Sequence, residues 1–245
     1  VLNWGAQRQT LADYFFTDFQ GNFGTNLAAG NGIYQVSYEA YFSSFSYSYA
    51  NKYFLSANYR VDGNSALSAD NRWGDFGGAS LGWTLSEEKF FKNLNLGNKV
   101  SNVRLKASYG KVGNGNVPNA YGSYSTFASG LYGAAPTLAF NQAGNKDLKW
   151  ETSTQTNVGL DVSFLNDRIQ VEANYYYKDI DNLILNVPQA PSKGIPGNSI
   201  LANVGSMYNR GYELAVTATP IDRGGFMWTT NLNFATNENM VTSLV

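Results

Sequence analysis

The sequence predicts an all-β fold, an antiparallel transmembrane β-barrel of which this chain supplies a part, about eight to ten strands. Three observations predict it. Apolar and polar residues alternate with period two through eight segments, which places them on opposite faces of a strand. The links between segments fall alternately into short turns and long polar stretches, so the two ends of the strand array differ. Tyr and Trp cluster near segment ends (Tyr49 and Tyr53, then Tyr109, Trp150, Tyr175, Tyr177, Tyr212 and Trp228), where an amphipathic ring suits a boundary between apolar and wet surroundings. Strands of about ten residues with this dyad and these two kinds of end are the described signature of a transmembrane barrel.

Taken in order, residues 41–49 set Phe45, Tyr47 and Tyr49 against Ser44, Ser46 and Ser48, and residues 53–62 set Tyr53, Leu55, Ala57, Tyr59 and Val61 against Ser56, Asn58, Arg60 and Asp62. Ala79, Leu81, Trp83 and Leu85 oppose Gly78, Ser80, Gly82 and Thr84, and Val103, Leu105, Ala107 and Tyr109 oppose Arg104, Lys106 and Ser108. Val158, Leu160, Val162 and Phe164 then oppose Asn157, Gly159, Asp161 and Ser163; Ile169, Val171, Ala173, Tyr175 and Tyr177 oppose Gln170, Glu172, Asn174 and Lys178. The last two segments set Tyr212, Leu214, Val216 and Ala218 against Glu213, Ala215, Thr217 and Thr219, and Trp228, Thr230, Leu232 and Phe234 against Thr229, Asn231 and Asn233. All six prolines lie between these segments, as expected of residues that cannot donate to a ladder.

Residues 50–52, 166–167 and 220–225 form the short connections; residues 63–75, 111–149 and 179–210 form the long ones, rich in Gly, Asn and Ser. With the short turns at the periplasmic end, both termini are expected on the extracellular side. A complete bacterial barrel begins and ends in the periplasm, so strands are expected beyond both ends of this chain, and a closed eight-stranded barrel is disfavoured. The link after Leu85 reads as a brief helix capped by Ser86, with Glu87 and Glu88 in its first turn.

Composition narrows the chemistry. Of 245 residues only 14% are charged, where about 25% is usual, and 15% are aromatic. The net charge of -1 leaves no electrostatic footprint for nucleic acid. Cys and His are both absent, which removes disulfides, thiolate metal sites and every Ser-His or Cys-His arrangement within this chain. No charged stretch followed by an apolar one opens these 245 residues, and no run approaches the roughly 18 apolar residues of a spanning helix, so a membrane role would use strands.

Two strings in "GGASLGWTLSEEKFF", residues 77–91, imitate catalytic motifs. Gly78 to Gly82 fits G-x-S-x-G, which needs a strand-to-helix elbow and a His partner, whereas Ser80 lies inside an alternating strand. Ser86 and Lys89 fit S-x-x-K, but S-D-N and K-T-G do not occur. The residues do not read as an enzyme, and no cofactor or metal is expected: Asp62, Asp70 and Asp75 lack the calcium-loop spacing, and residues 113–116 read as a flexible surface turn rather than a phosphate cradle.

The ordered blocks "NKYFLSANYRVDGNSAL" (51–67), "NRWGDFGGASLGWTLSEEKFF" (71–91), "VRLKASYGKVGN" (103–114), "GNKDLKWETSTQTNVGLDVSFLNDRI" (144–169), "NVGSMYNRGYELAVTATPI" (203–221) and "WTTNLNFATNENMVTSL" (228–244) resemble the SusC/RagA-like TonB-dependent transporters of the Gram-negative outer membrane. The resemblance covers about residues 38–245 and leaves residues 1–37 unplaced. It implies a barrel of about 22 strands around an N-terminal plug, with residues 1–245 part of the barrel domain and the plug, signal peptide and final strands outside this chain. It also implies localisation in the outer membrane, a SusD-like surface lipoprotein as lid, energy from the TonB-ExbB-ExbD complex, and import of glycans or peptides.

Within that picture Arg60, Arg104, Lys106, Asp161, Glu172 and Glu213 are expected to line the lumen. Tyr121, Tyr124 and Tyr132 in the longest loop are candidates for substrate contact, since aromatic faces stack on sugar rings. Two other readings stay open at this point: a passive porin or surface adhesin barrel without a plug, and a soluble β-sandwich binding module that purifies without detergent.

Overall fold

The computed structural model describes residues 2–3, 6–8, 26–28, 32–33, 35–94, 99–118, 121–133 and 135–244. The chain divides into two units, residues 1–37 and 38–245. In the first, Leu2–Asn3 pairs antiparallel with Gly32–Ile33, and Ala6–Arg8 with Asn26–Ala28.

The second unit is built on one antiparallel sheet of eight strands in sequence order: β1 (Tyr38–Tyr49), β2 (Tyr53–Asn64), β3 (Trp73–Thr84), β4 (Val100–Asn114), β5 (Glu151–Phe164), β6 (Ile169–Asp181), β7 (Ser206–Arg223) and β8 (Phe226–Ser243). Each strand pairs with its neighbours along the chain, and the edge strands β1 and β8 do not pair with each other. The register carries the sequence alternation across the sheet. Leu55, Leu81, Ala107, Val158, Tyr175 and Tyr212 follow one another on the apolar face. Phe54, Gly82, Lys106, Gly159, Asn174 and Glu213 follow one another on the polar face.

The strands are longer than the alternation. β4 continues past Tyr109 to Asn114, β6 past Tyr177 to Asp181, and β7 begins at Ser206, six residues before Tyr212. These extensions carry charge and amide groups on both faces, so they lack the dyad but still satisfy their backbones in the ladder. Two of the long loops also hold hairpins of their own, Thr126–Tyr132 with Ala135–Gln142 and Ile184–Pro188 with Ser199–Asn203.

Three prolines therefore lie in strands, contrary to the sequence expectation. Pro136 is the second residue of its loop hairpin strand, Pro188 the last of its own, and Pro220 sits at the register break between Ala218 and Ile221 in β7. A bulge or a strand end needs no donor, which is why the ring is tolerated there.

One end of the sheet is turned by tight connections. Ala50 and Asn51 take positive φ of 52° and 56°, the paired left-handed conformation of a type I′ hairpin, closed by Lys52 N–H donating to Tyr49 O at 2.9 Å. Gly224 and Gly225 do the same between β7 and β8, at φ 63° and 82°. The β3–β4 link contains a 3-10 turn, Leu85–Glu87, and one helical turn, Lys89–Lys92. Ser86 is not a cap here. It lies inside the 3-10 turn, buried, and its hydroxyl donates to Asn102 Oδ1 at 2.8 Å, tying the link to β4.

The carboxylate that organises this corner is Glu88. It accepts from the Tyr53 hydroxyl, from Lys52 Nζ at 3.1 Å and from Trp83 Nε1 at 3.3 Å. The Tyr53 hydroxyl first, and then Lys52, hold the Glu88 carboxyl below the usual carboxylate range.

The other end carries the three long loops, and there the buried side chains concentrate. Leu67 and Leu148 are fully buried and Leu201 is 8% exposed, with Val117, Trp150 and Ile184 packed around them. One leucine comes from each loop. Polar side chains stitch the loops together: Asn64 Nδ2 donates to Gly115 O at 2.7 Å, Ser68 Oγ to Leu148 O at 3.1 Å, Asn145 Nδ2 to Leu201 O at 2.8 Å and Asn203 Nδ2 to Lys149 O at 2.7 Å. Residues 113–116 are consequently not a flexible surface turn. Gly115 is buried under the Trp150 ring, and Gly113 faces Phe76, whose ring occupies the space a Cβ would need, 1.9 Å from Cζ. Trp150 itself belongs to this core rather than to a row of boundary aromatics. Its indole N–H donates to Arg72 O at 3.1 Å, and its ring meets Phe76 edge-on at 5.3 Å.

Candidate solute-facing wall and rim

Parity along the register places Arg60, Arg104, Lys106, Asp161, Glu172 and Glu213 on the same face of the sheet, the polar one. At its centre is a concavity of about 690 Å³. Hydroxyls of Ser46, Ser56, Ser80 and Ser108 and amides of Gln155 and Asn157 line much of it. Ser80, the serine of the catalytic look-alike, lies 2.6 Å, Oγ to Oγ, from Ser56 on the adjacent strand. It is one hydroxyl among many on this face.

The six charged residues are not equivalent. Lys106 Nζ lies between two carboxylates, 2.7 Å from Asp161 Oδ1 and 2.9 Å from Glu172 Oε1. The first is a charge contact without the alignment of a hydrogen bond, the second a directed bond. Asn174 Nδ2 also donates to Glu172, at 3.1 Å. Arg60 Nε reaches both oxygens of Asp62 at 2.7 Å, toward the loop end of β2. Glu213 lines the same concavity beside Asn174. Arg104 is directly opposite Asp161 in the register, yet Lys106 holds that carboxylate, and the guanidinium stacks instead on the Phe54 ring, 4.6 Å from its centroid.

Phe54 and Tyr176 are polar-face residues that alternation alone passes over. Tyr176 lies in a run of three tyrosines and therefore shows no contrast, but the parity set by Glu172 and Asn174 assigns it to this face, where its hydroxyl donates to Asn237 Oδ1 at 3.2 Å. Gly82 has a reason of its own: a Cβ there would stand 3.2 Å from Arg104 Nη2. The space at Gly82 is taken by a side chain of the neighbouring strand.

On the opposite face the central residues are apolar. Leu55, Leu81, Leu105, Val158, Leu160 and Leu214 all remain exposed in the isolated sheet. Tyr49, Tyr53 and Trp83 mark the turn end. Toward the loop end tyrosines form a second row, with Tyr175 and Tyr212 at 5.0 Å and Tyr177 and Tyr208 stacked at 5.8 Å. The strands run past this row into the polar extensions.

The rim tyrosines are placed differently from one another. Tyr121 and Tyr124 share one turn, with Tyr124 N–H donating to Tyr121 O at 2.9 Å and the Gln142 amide donating to both carbonyls, and they are 40% and 48% exposed. Tyr132 is 84% exposed and ends the seven-residue strand that starts at Thr126, about 20 Å further along at the rise of an extended chain.

The family model described as TonB dependent receptor-like, beta-barrel matches residues 2–242, which takes in residues 1–37 almost entirely, the part the motifs left unplaced. A TonB-dependent receptor of Formosa agariphila is 38% identical over 199 residues, covering 81% of this chain and 19% of its own length. The TonB-dependent receptor SusC of Bacteroides thetaiotaomicron is 35% identical over 217 residues, covering 84% of this chain and 21% of its own. The chain thus spans about a fifth of the length of these relatives. Among solved structures, that of the RagAB peptide transporter superposes with a TM-score of 0.78 at 27% identity, over 93% of this chain and 24% of that one. These relatives are receptors and transporters, not enzymes. One open antiparallel sheet with an apolar and a polar face, tight turns at one end and packed loops at the other, therefore belongs to the family of TonB-dependent receptor β-barrels.

Proposed function

We propose that this chain forms a section of the wall and three extracellular loops of an outer-membrane importer energised through TonB. The observation that carries the reading is the two-faced sheet. Its apolar face, bounded by two rows of aromatic rings, suits the bilayer, and its hydroxyl- and amide-rich face suits a water-filled or plugged lumen. Likeness to SusC and to the RagAB peptide transporter supports a glycan or peptide cargo and a SusD-like surface lipoprotein over the loop end. In this reading the remaining strands, to about 22, and the plug belong to the rest of the protein. Arg60, Arg104, Lys106, Asp161, Glu172 and Glu213 face the lumen, and Tyr121, Tyr124 and Tyr132 offer stacking surfaces to cargo at the rim.

The test is uptake by the full-length protein in a Gram-negative host lacking its own copy. Restored growth on one polysaccharide or peptide mixture, abolished when the TonB-contacting segment is deleted, supports the reading. Uptake that survives the deletion would indicate a passive porin. A full-length protein that is folded and monomeric in buffer without detergent would remove the barrel reading altogether.

A further inference from the structure

The structure assigns to Arg104 the role of a carboxylate-receiving site on the polar face of the wall. This rests on reading that face as the lumen. Asp161, the carboxylate directly across the ladder from Arg104, is held by Lys106 at 2.7 Å, and Lys106 also holds Glu172 at 2.9 Å. That triad carries two negative charges against one positive, and both of its carboxylates lie within ion-pair distance of Lys106 while neither is bonded to Arg104. Among the described residues the Arg104 side chain has neither a hydrogen bond nor an ion pair, and its Nε is buried without a partner. Water does not reach that Nε, which lies beside Gly82, but the two Nη groups, likewise without partners, are not buried, and they are the donors a carboxylate can engage.

The side chain is nevertheless oriented. Stacking on Phe54 at 4.6 Å fixes the plane of the guanidinium, and the missing Cβ at Gly82 lets it lie against the strand. A planar fork held in place, bordering a concavity lined by serine hydroxyls and the amides of Gln155 and Asn157, has the chemistry of bidentate carboxylate recognition. Lysine would not substitute fully, since it has neither the fork nor the flat face that stacks. The carboxylate can reach this place from two sources: an acidic side chain of another segment of the same protein inside the barrel, or an acidic group on the cargo as it passes.

The experiment uses the full-length protein, in detergent for modification and exchange and in lipid vesicles for cysteine labelling. Modification of Arg104 by phenylglyoxal is followed by mass spectrometry, with Arg223 at the β7–β8 turn as the reference. If the site receives cargo carboxylates, saturating glutarate or triaspartate slows Arg104 modification about tenfold and leaves Arg223 unchanged. If the protein supplies the carboxylate, the additives have no effect, but Arg104→Gln raises hydrogen exchange in an acidic segment outside residues 1–245, and Arg104→Lys reverses part of that rise. A rate that no added carboxylate changes, together with an exchange pattern that Arg104→Gln leaves intact, overturns the assignment. A Ser80→Cys variant separates this failure from failure of the lumen reading. Labelling of Cys at that position by a water-soluble maleimide keeps the lumen reading standing, whereas labelling only by a bilayer-confined reagent removes it.

Discussion

The wall and the loop cluster of this chain are stabilised in opposite ways. The wall contains 114 residues in eight long strands if the lengths of β1 to β8 are taken together, yet most of its large apolar side chains remain exposed. The loop cluster is far smaller and holds the dry core of Leu67, Leu148 and Leu201. A wall of this kind relies on ladder hydrogen bonds and on what surrounds it, namely lipid on one side and lumen contents on the other. The cluster relies on burial and on side-chain bonds to loop carbonyls, as a soluble domain does. The loops are therefore the part that folds upon itself, and the sheet is the part that depends on its environment.

Four changes test that contrast, taken from the largest expected effect down. Leu148→Ala leaves a cavity among three loops and should cost about 2–5 kcal/mol locally. Hydrogen exchange should rise through residues 64–72, 115–150 and 182–205 while the central strands stay protected; uniform loss of protection would mean the cluster and wall unfold as one. On the wall, Leu81→Arg, on the apolar face two residues inside Trp83, should cost about 1–3 kcal/mol, between the interface and midplane values, whereas Ser80→Arg, one residue away on the polar face, should cost far less. Refolding titrations into lipid vesicles compare the pair, and equal costs would refute the assignment of faces.

Asn64→Ala strands the Gly115 carbonyl and the Ala66 N–H inside the cluster and should cost about 1–3 kcal/mol. Its signature is faster proteolysis between Gly115 and Trp150 with unchanged strand content by infrared spectroscopy. The smallest effect is at the turn end. Glu88 has a folded pKa depressed below its ordinary value of 4.5, so its contribution is fully present above that value and is lost as pH falls through the lower, folded value. Fluorescence of Trp83, whose indole donates to Glu88, should shift as the pH is lowered below about 4.5, and Glu88→Gln should abolish the shift.

The same contrast explains what could be read from the residues in advance. The wall was legible because each strand repeats one rule over many residues, and the register then carried that rule intact from Leu55 to Tyr212. The tight ends were legible from Ala50-Asn51-Lys52 and Gly224-Gly225. The loop cluster was not, since Leu67, Leu148 and Leu201 are single leucines in separate polar stretches without periodicity. Trp150 was misplaced for the same reason: near the start of a strand it has the sequence context of a boundary ring, and only its contact with Phe76 and Arg72 O reveals the core. Ser86 was misread as a cap because a Ser followed directly by Glu87 and Glu88 has the local look of a helix start, whereas its actual partner, Asn102, lies sixteen residues away.

The charged residues divide along the same line. Their face followed from parity, because side chains on a strand alternate without exception unless a bulge intervenes. Which of them remain available did not follow. Lys106 reaches across to Asp161 and Glu172 on the next two strands, and that choice leaves Arg104 on Phe54 without a carboxylate. The sequence by itself determined the strands, their two faces and the order of their turns, all of which depend on neighbours close along the chain. Only the tertiary structure decided which loops share a core and which charges pair, because those outcomes depend on distances between residues far apart in the chain.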